Sequence, residues 1–345
     1  MGALLAALHA SVGGRNLTED EAAAALEEIL AGEAASAAVG ALLTSLRIQG
    51  ETADELVGFA RVMRAHAAPV VSKSIDPADM VDTCGTGGDG ASTFNISTVS
   101  AFVVAGAGVP VAKHGNRSIS SRSGSADVLE AAGANVQLTA DQARAAIDET
   151  GVGFLFAPLI HPAMKHVQPV RKALKMRTVF NLLGPLTNPA GAGAQVIGVY
   201  ADDRVRLVAD ALNRLGVRRA FVVHGSDGLD EITTTGPTHV AEVRNGAVTE
   251  SETEPADFGV ETAPAEDLAG GEADENALHL ERILEGVHGA RRDIVVVNAA
   301  AALVAAGQAD TFAEGAQKAT ESIDSGAAKD KLRTFIEFTN RFRAS

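Results

Sequence analysis

The chain has 345 residues, of which 46% are hydrophobic and 21% are charged, and its net charge at pH 7 is -15. This length predicts two domains, and the composition is that of a globular protein. The acidic charge, together with zero Trp and one Tyr, argues against a general nucleic-acid-binding surface and favours a small-molecule role.

A single cysteine, Cys84, excludes an internal disulfide framework and any cysteine-based zinc cluster, and it fits a reducing compartment. The first residues carry no basic segment ahead of their apolar stretch, so we predict no signal peptide. The longest uncharged run, residues 94–112, is interrupted by polar residues, Gly and Pro and is not expected to span a membrane. The expected location is the cytoplasm.

Residues 1–70 are rich in Ala, Leu and Glu and contain no strand-like run. Thr18 with Glu21 and Thr52 with Glu55 have the spacing of capping boxes, which mark helix starts. Several short helices must pack together to bury their apolar faces. We therefore predict a small all-helical N-terminal domain over residues 1–70.

Residues 71–345 are predicted to form a large α/β domain with a mostly parallel central sheet flanked by helices, because short apolar runs alternate with glycine-rich turns and helical stretches. A hairpin should turn at Asn245-Gly246. Residues 251–275 hold nine acids and no Lys or Arg, which predicts a solvated surface loop. The expected strands are MVDT, VPVAKHG, GFLFAP, QVIGVY, AFVVHG and, near the C-terminus, DIVVVN.

The loop DTCGTGGDGASTFNIS follows the first strand and matches the pattern G-x-G-x-x-G. A dinucleotide site needs an acidic residue about 20 positions later, but no acid lies between Asp89 and Asp127. A Walker loop is excluded because no Gly-Lys-Ser/Thr follows the glycines. The remaining interpretation is another phosphate cradle, built from bare backbone amides and a helix N-terminus.

Two further segments favour anionic ligands directly, and a third favours them through a metal ion. The loop KHGNRSISSRSGS carries three cations, five hydroxyls and no acid, and HPAMKHVQPVRKALKMRT holds five Lys or Arg between positions 161 and 177. Two phosphate-binding loops at neighbouring strand ends fit a ligand phosphorylated at two places. In HGSDGLDEIT the adjacent acids Asp230 and Glu231 could hold Mg²⁺ that bridges phosphates, or be a solvated loop.

Together with FNIST and NLLGPLTNP, these segments resemble the anthranilate phosphoribosyltransferase family, which is related to the nucleoside phosphorylases. The resemblance runs through nearly the whole chain. It implies transfer of a 5-phosphoribosyl group from phosphoribosyl pyrophosphate (PRPP) to anthranilate, with two Mg²⁺ ions, in the second step of tryptophan biosynthesis. It also implies a homodimer formed through the small domains, a fold like that of the pyrimidine nucleoside phosphorylases, and neither nucleic-acid nor membrane partners.

The resemblance also implies three groups of site residues. Ser97 and Glu231 would hold one Mg²⁺, and Asp230 with Glu231 the second. Anthranilate would contact Gly85, Asn116 and Arg171, with His114 and Pro185 shaping the pocket for its ring and the helical domain completing the cleft. The residues implied for PRPP are Gly85, Gly88, Asp89, Thr93, Asn95, Ile96, Ser97, Thr98, Lys113, His114, Gly115, Asn116, Arg117, Ser118, Ile119, Ser120, Ser121 and Ser125.

PRPP already carries its leaving group, so no covalent nucleophile is expected, and catalysis should come from positioning and electrostatics. Two alternatives remain open from the residues. One is an enzyme of the pyrimidine nucleoside phosphorylase type, although the glycine loop lacks the lysine and the TGGVGD spacing of that group. The other is a non-catalytic relative that binds nucleic acid, which the acidic composition disfavours.

Overall fold

The computed structural model describes residues 1–118 and 122–343. The N-terminal part is helical, as predicted, up to residue 65. Its four helices are α1 (Ala3–Val12), α2 (Glu19–Leu30), α3 (Ser36–Gln49) and α4 (Ala53–Ala65).

Both predicted capping boxes are confirmed. The Thr18 hydroxyl accepts a hydrogen bond from the Glu21 amide at 3.2 Å, and the Glu21 carboxylate accepts one from the Thr18 amide at 2.9 Å. Thr52 and Glu55 form the same reciprocal pair at the start of α4. Glu55 also accepts a hydrogen bond from the Leu17 amide at 2.9 Å, so this carboxylate joins the beginnings of α2 and α4.

The second part is built on one seven-stranded sheet with strand order β3-β2-β1-β4-β5-β6-β7. The pairs from β3 to β5 are parallel, and the last two pairs are antiparallel. The strands are β1 (Val81–Gly85), β2 (Val111–Gly115), β3 (Val152–Phe156), β4 (Ala194–Gly198), β5 (Arg219–Gly225), β6 (Thr238–Arg244) and β7 (Ala247–Thr253). The mostly parallel sheet and the hairpin at Asn245-Gly246 are therefore confirmed.

Helices cover both faces of this sheet. Their bounds are α5 (Ile96–Gly106), α6 (Ser125–Ala131), α7 (Ala140–Thr150), α8 (Ala157–Ile160), α9 (Gln168–Leu174), α10 (Phe180–Leu186), α11 (Val205–Arg214), α12 (Ala273–Leu284), α13 (Ala290–Ala306), α14 (Phe312–Asp324) and α15 (Ala327–Asn340).

Successive strand residues enter different cores because side chains alternate across a strand. Val196 and Phe221 belong to the core that includes α5 and α13. Ile197 and Val222 belong to the core that includes α10, α11 and the N-terminal helices. The helical domain is therefore packed against one side of the large domain, next to α10 and α11.

The predicted strand DIVVVN is wrong, because residues 293–298 lie inside α13. A short apolar run has the same composition in a buried strand and in a buried helix, and periodicity cannot separate them. The alanine-rich continuation to Ala306 extends the helix through the core.

The expectation of a solvated surface loop over residues 251–275 is confirmed for the exposure of most of its residues, but it is wrong about the irregular backbone. The strand β7 continues to Thr253, short 3₁₀ turns follow at Pro255–Phe258 and Ala265–Leu268, and α12 begins at Ala273. Phe258 and Leu268 are buried in the core beside α13. A few apolar side chains thus anchor a segment whose overall composition is acidic.

The helical domain carries an open apolar groove of about 1000 Å³ between α1, α3 and α9. Val12 and Ile48 border it, and the side chain of Ile48 is 82% exposed. No helix in the described part of the chain is long and apolar enough to cross a membrane.

Candidate active site

The candidate site lies where four parallel strands end in glycine. Gly85 of β1 is paired in register with Gly198 of β4, and β2 and β5 end at Gly115 and Gly225. Since the carboxyl ends of parallel strands meet at one edge of the sheet, the loops that follow them converge there, as in other open α/β sheets.

The loop after β1 is a turn of glycines in the left-handed region. Gly87, Gly88 and Gly90 have φ angles of 67°, 75° and 83°, which residues with a side chain rarely adopt. The turn leads into α5, whose first turn contains Ser97. Backbone amides and a helix N-terminus therefore lie close together, as an anion site requires.

The acids after β5 lie directly against this turn. The Asp230 carboxylate accepts a hydrogen bond from the Gly87 amide at 2.6 Å, and the Glu231 carboxylate accepts one from the Ser97 amide at 3.2 Å. A Cβ atom at Gly85 would overlap the Asp230 carboxylate, and one at Gly198 would overlap the Asp230 backbone. These glycines allow the acids to lie across the ends of β1 and β4.

The two carboxylates are destabilised in their charged form. Burial raises the pKa of Asp230 well above its usual range, and the negative charges of Asp89 and Glu231 raise it further. Burial also raises the pKa of Glu231 to about 7, although Lys113 and Ser97 act in the opposite direction. Paired, desolvated carboxylates of this kind are suited to a bound cation.

Lys113 supplies a buried positive charge beneath the acids. Lys113 is only 4% exposed, and its ammonium group donates hydrogen bonds to the Thr83 carbonyl and the Ser97 hydroxyl. Burial lowers the pKa of Lys113, while Asp82 and Glu231 are among the groups that raise it. The lysine therefore offsets part of the negative charge and orients Ser97.

The loop after β2 is bonded to the first turn of α6. The carbonyl of Asn116 accepts hydrogen bonds from the Ala126 amide and the Ser125 hydroxyl, both at 3.2 Å. Arg117 forms ion pairs with Asp127 and Glu130 at 2.8 and 2.6 Å, so its charge is already committed to two carboxylates. The predicted site residues Ile119, Ser120 and Ser121 lie outside the described residues.

Two asparagine side chains join the phosphate loops. The side chain of Asn276, in α12, donates to the Asn95 side chain at 3.1 Å, and Asn95 donates to the Ser123 carbonyl at 3.2 Å. Thr93 pairs with Ala269 in an isolated bridge. The acidic segment that we expected to be a solvated loop therefore supports the glycine-rich turn.

A second group of predicted site residues lies on or next to α9 and α10. The guanidinium of Arg171 lies 5.6 Å from the centre of the Phe180 ring, and burial lowers the pKa of Arg171. Its side chain has no hydrogen bond or ion pair to the residues that the structure describes. A partly desolvated guanidinium of this kind fits an anionic ligand.

The rings of His114 and His161 lie against each other, with ring centres 5.0 Å apart. The Nδ1 atom of His114 is 3.0 Å from the carbonyl of Gly184, the residue before Pro185 in α10. The Nε2 atom of His114 and both ring nitrogens of His161 are buried without a partner in the described structure. The structure thus places the His114 ring next to the residue that precedes Pro185, and a role for both residues at the ring of anthranilate stays a prediction.

Sequence reasoning gave no role to three residues at this site. Arg177 donates to the Gly88 carbonyl and lies 4.3 Å from the centre of the Tyr200 ring; the basic segment signalled it only as one cation among five. Asn276 lies in the helix after the segment that we interpreted as a loop. Asn298 lies in the run that we interpreted as a strand, so its direction could not be foreseen.

Comparison with known proteins covers almost the whole chain. The models of a glycosyl transferase family match its helical bundle domain at residues 5–67 and its a/b domain at residues 77–329. An anthranilate phosphoribosyltransferase from Solibacter usitatus (strain Ellin6076) is 59% identical, over 94% of this chain and 95% of the relative.

Two solved structures have the same fold. The anthranilate phosphoribosyltransferase from Thermus thermophilus superposes with a TM-score of 0.91 at 43% identity, over 97% of this chain and 99% of that one. The enzyme from Saccharomyces cerevisiae in complex with PRPP and Mg gives a TM-score of 0.89 at 29% identity, over 98% of each chain.

The buried His161 predicts a pH dependence of stability. Burial, and to a smaller extent the neighbouring His114, lowers the pKa of His161 to about 3. The pKa of an exposed histidine is about 6.5. Below pH 6.5 the unfolded state binds a proton that the folded state does not, so this histidine lowers the free energy of unfolding as pH falls.

His161→Leu should therefore lose less stability than the wild type between pH 7.5 and pH 5.0, by about 2 kcal/mol. Urea denaturation at both pH values measures the difference, and His9→Leu, at an exposed histidine, is the matched control. An equal pH dependence in wild type and His161→Leu would show that His161 takes up its proton in the folded state.

Proposed function

The chain belongs to the anthranilate phosphoribosyltransferase family, and we propose that its reaction takes place at the strand-end site. The reaction transfers the 5-phosphoribosyl group of PRPP to the amine of anthranilate, giving N-(5-phosphoribosyl)anthranilate and pyrophosphate, in tryptophan biosynthesis. One observation carries the location: two desolvated carboxylates, Asp230 and Glu231, face a turn of left-handed glycines at the start of a helix.

PRPP is assigned to the loops that follow β1 and β2. Amides of the glycine-rich turn and the first turn of α5 supply donors for its pyrophosphate. The hydroxyl of Thr98 is buried without a partner in the described structure, which fits a polar ligand at this helix start. Gly115, Asn116 and Ser125 provide the facing wall after β2.

The residues present fit Mg²⁺. Among the described residues, no three His, Cys, Asp or Glu side chains converge as a complete metal cage. Mg²⁺ does not need one, because it commonly takes one or two carboxylates and completes its shell with water and substrate phosphates. Ser97 and Glu231 would hold one Mg²⁺ and Asp230 with Glu231 a second, and the two ions would neutralise charge on the departing pyrophosphate.

Anthranilate is assigned to the side of the site between the glycine-rich turn and α9. Arg171 would bind its carboxylate, Gly85 and Asn116 would contact it, and His114 with Pro185 would bound its ring. The region thus offers one cationic group and an apolar wall to a small aromatic acid.

The mechanism rests on positioning and electrostatics. The anthranilate amine is neutral at pH 7 and can attack the ribosyl carbon without a strong general base. The amides of the turn hold the pyrophosphate while the ribosyl carbon gains positive character. Arg171 orients the amine by fixing the carboxylate next to it on the ring.

We also propose a homodimer in which residues 1–70 form the dimerisation domain. The apolar groove between α1, α3 and α9 is open to solvent in the single chain. A second copy of the chain, related by a two-fold axis, would cover these exposed apolar side chains symmetrically.

The carboxylate pair gives the main test of this function. Wild-type enzyme should abolish anthranilate fluorescence only when PRPP and Mg²⁺ are both present. Asp230→Asn and Glu231→Gln keep the size of each side chain but remove its charge, so each should lower kcat and raise the half-saturating Mg²⁺ concentration at least about tenfold, the equivalent of about 1.4 kcal/mol. Glu231→Gln should have the larger effect.

Asp267→Asn, at an exposed acid, is the control and should behave as the wild type. Without metal, the two site variants should melt no lower than the wild type, because each removes a desolvated charge. Unchanged Mg²⁺ curves in folded Asp230→Asn and Glu231→Gln would place the metal elsewhere.

Arg171→Ala should raise the KM for anthranilate and leave the KM for PRPP nearly unchanged, because only anthranilate loses its charged partner. A charge-assisted hydrogen bond contributes about 1.5 to 3 kcal/mol, so the increase should be about 10- to 150-fold. Steady-state kinetics of this variant are compared with Lys172→Ala, at the exposed neighbouring cation. Equal weakening toward both substrates would refute the assignment.

Ile48→Asp should convert the dimer to a monomer, since it places a charge in the apolar groove. Light scattering at micromolar concentration measures the mass. Val71→Asp replaces another exposed apolar residue, outside the groove, and should leave the dimer intact. A monomeric wild type, or a dimeric Ile48→Asp, would show that the groove is not the interface.

A further inference from the structure

The side chain of Asn298 reaches from the middle of α13 to the backbone beside the carboxylate pair. Asn298 is 3% exposed. Its Oδ1 accepts a hydrogen bond from the Ile232 amide at 3.0 Å, and its Nδ2 donates to the Ile232 carbonyl at 2.9 Å. Nδ2 also donates to the Ile294 carbonyl at 2.9 Å, which fixes the side chain on its own helix.

Ile232 directly follows Glu231, and its backbone cannot exchange these bonds for water. Its side chain is buried in the core beside α13, so an unpaired amide or carbonyl here would carry a desolvation cost. One asparagine satisfies both groups because its amide offers a donor and an acceptor in one plane. The position of Glu231 along the sheet edge is therefore tied to α13.

The same helix also holds the other half of the metal site. The hydroxyl of Ser100, in α5, donates to the Ile96 carbonyl at 3.0 Å and to the Val295 carbonyl of α13 at 3.3 Å. Ser97 lies one turn before Ser100 on α5, and its amide donates to Glu231. The start of α5 and the carboxylate loop are thus both fastened to one buried helix, within one turn of each other along α13.

We propose that Asn298 is a positioning residue for the metal site, which sets Glu231 against Ser97 before any ligand binds. The inference rests on the proposed function, since it takes Asp230 and Glu231 as the residues that hold Mg²⁺. Asn298 does not touch the substrate or the metal in this account. Because Asn298 already orders the carboxylate loop, the binding of the metal and PRPP does not have to supply the free energy of ordering it.

The test compares two buried asparagines that bond backbone groups in different places. Asn298→Ala removes the link to Ile232. Asn135→Ala removes an amide that accepts from the Gln137 amide and donates to the Thr339 carbonyl near the C-terminal end of α15. Both variants should melt at lower temperature than the wild type, so thermal stability alone does not separate them.

Mn²⁺ binding separates the two roles. Free Mn²⁺ is followed by electron paramagnetic resonance in the presence of PRPP and the absence of anthranilate, so that no turnover occurs. Asn298→Ala should weaken Mn²⁺ binding at least about tenfold and raise the half-saturating Mg²⁺ concentration for activity similarly, while its KM for anthranilate stays within about twofold. Asn135→Ala should bind Mn²⁺ within about twofold of the wild type.

The Asp230→Asn and Glu231→Gln variants are measured alongside. If they bind Mn²⁺ as the wild type does, the proposed metal site is wrong. If they are weakened while Asn298→Ala binds as tightly as Asn135→Ala, only the positioning role is overturned. Should Asn298→Ala fail to fold, Asn298→Ser keeps a hydroxyl for the Ile294 carbonyl but cannot span to Ile232, and it should show the same weakening.

Wild-type protein provides a measurement that does not depend on any variant. Hydrogen exchange of the Ile232 amide should be slow without PRPP and metal, because Asn298 already holds it. Fast exchange that becomes slow only when PRPP and Mg²⁺ are added would show that the ligands order the loop, and it would overturn the proposal.

Discussion

The site depends on the absence of side chains at two paired strand ends. A Cβ atom at Gly198 would overlap the Asp230 backbone, and one at Gly85 would overlap the Asp230 carboxylate. Since β1 and β4 are neighbours in register, the two glycines open one continuous space at the sheet edge. The carboxylate loop fills that space, and the glycine-rich turn, the start of α5 and the ligand loops are arranged around it.

This close approach has an electrostatic cost that the fold offsets only in part. Asp230 and Glu231 lose solvent as they lie across the strand ends, and their pKa values rise for that reason. Lys113 contributes one buried positive charge, which is shared with the buried Asp82. The excess negative charge makes the site suited to a divalent cation, and through that cation to a pyrophosphate, although the protein as a whole is acidic.

The sequence predicts features that depend on local chemistry. The capping boxes, the glycine turn and the hairpin at Asn245-Gly246 follow from side-chain bonds and positive φ angles within a few residues. The strand predicted at DIVVVN is wrong because an apolar run takes its conformation from its surroundings, and here the run forms the middle of α13. The acidic segment is mostly exposed, as its composition predicts, but Phe258 and Leu268 anchor it to the core, and two apolar residues among many charges do not indicate that packing.

The site residues show the same difference between what local sequence indicates and what the tertiary structure decides. The spacing of Asp230 and Glu231 after a strand indicates a ligand site, but their contact with Gly87 and Ser97 joins positions far apart in the chain. Contacts between residues so distant in the chain depend on the order of the strands in the sheet, which no local sequence pattern contains. The family resemblance also implies Arg117 as a PRPP ligand, a role that stays a prediction, while the structure shows its charge paired with Asp127 and Glu130.

The metal site is tested most directly by a crystal structure with PRPP and Mn²⁺, measured for anomalous scattering. We expect an anomalous peak within coordination distance of Glu231 and the pyrophosphate oxygens; a metal bound to PRPP with both Asp230 and Glu231 out of reach would contradict it.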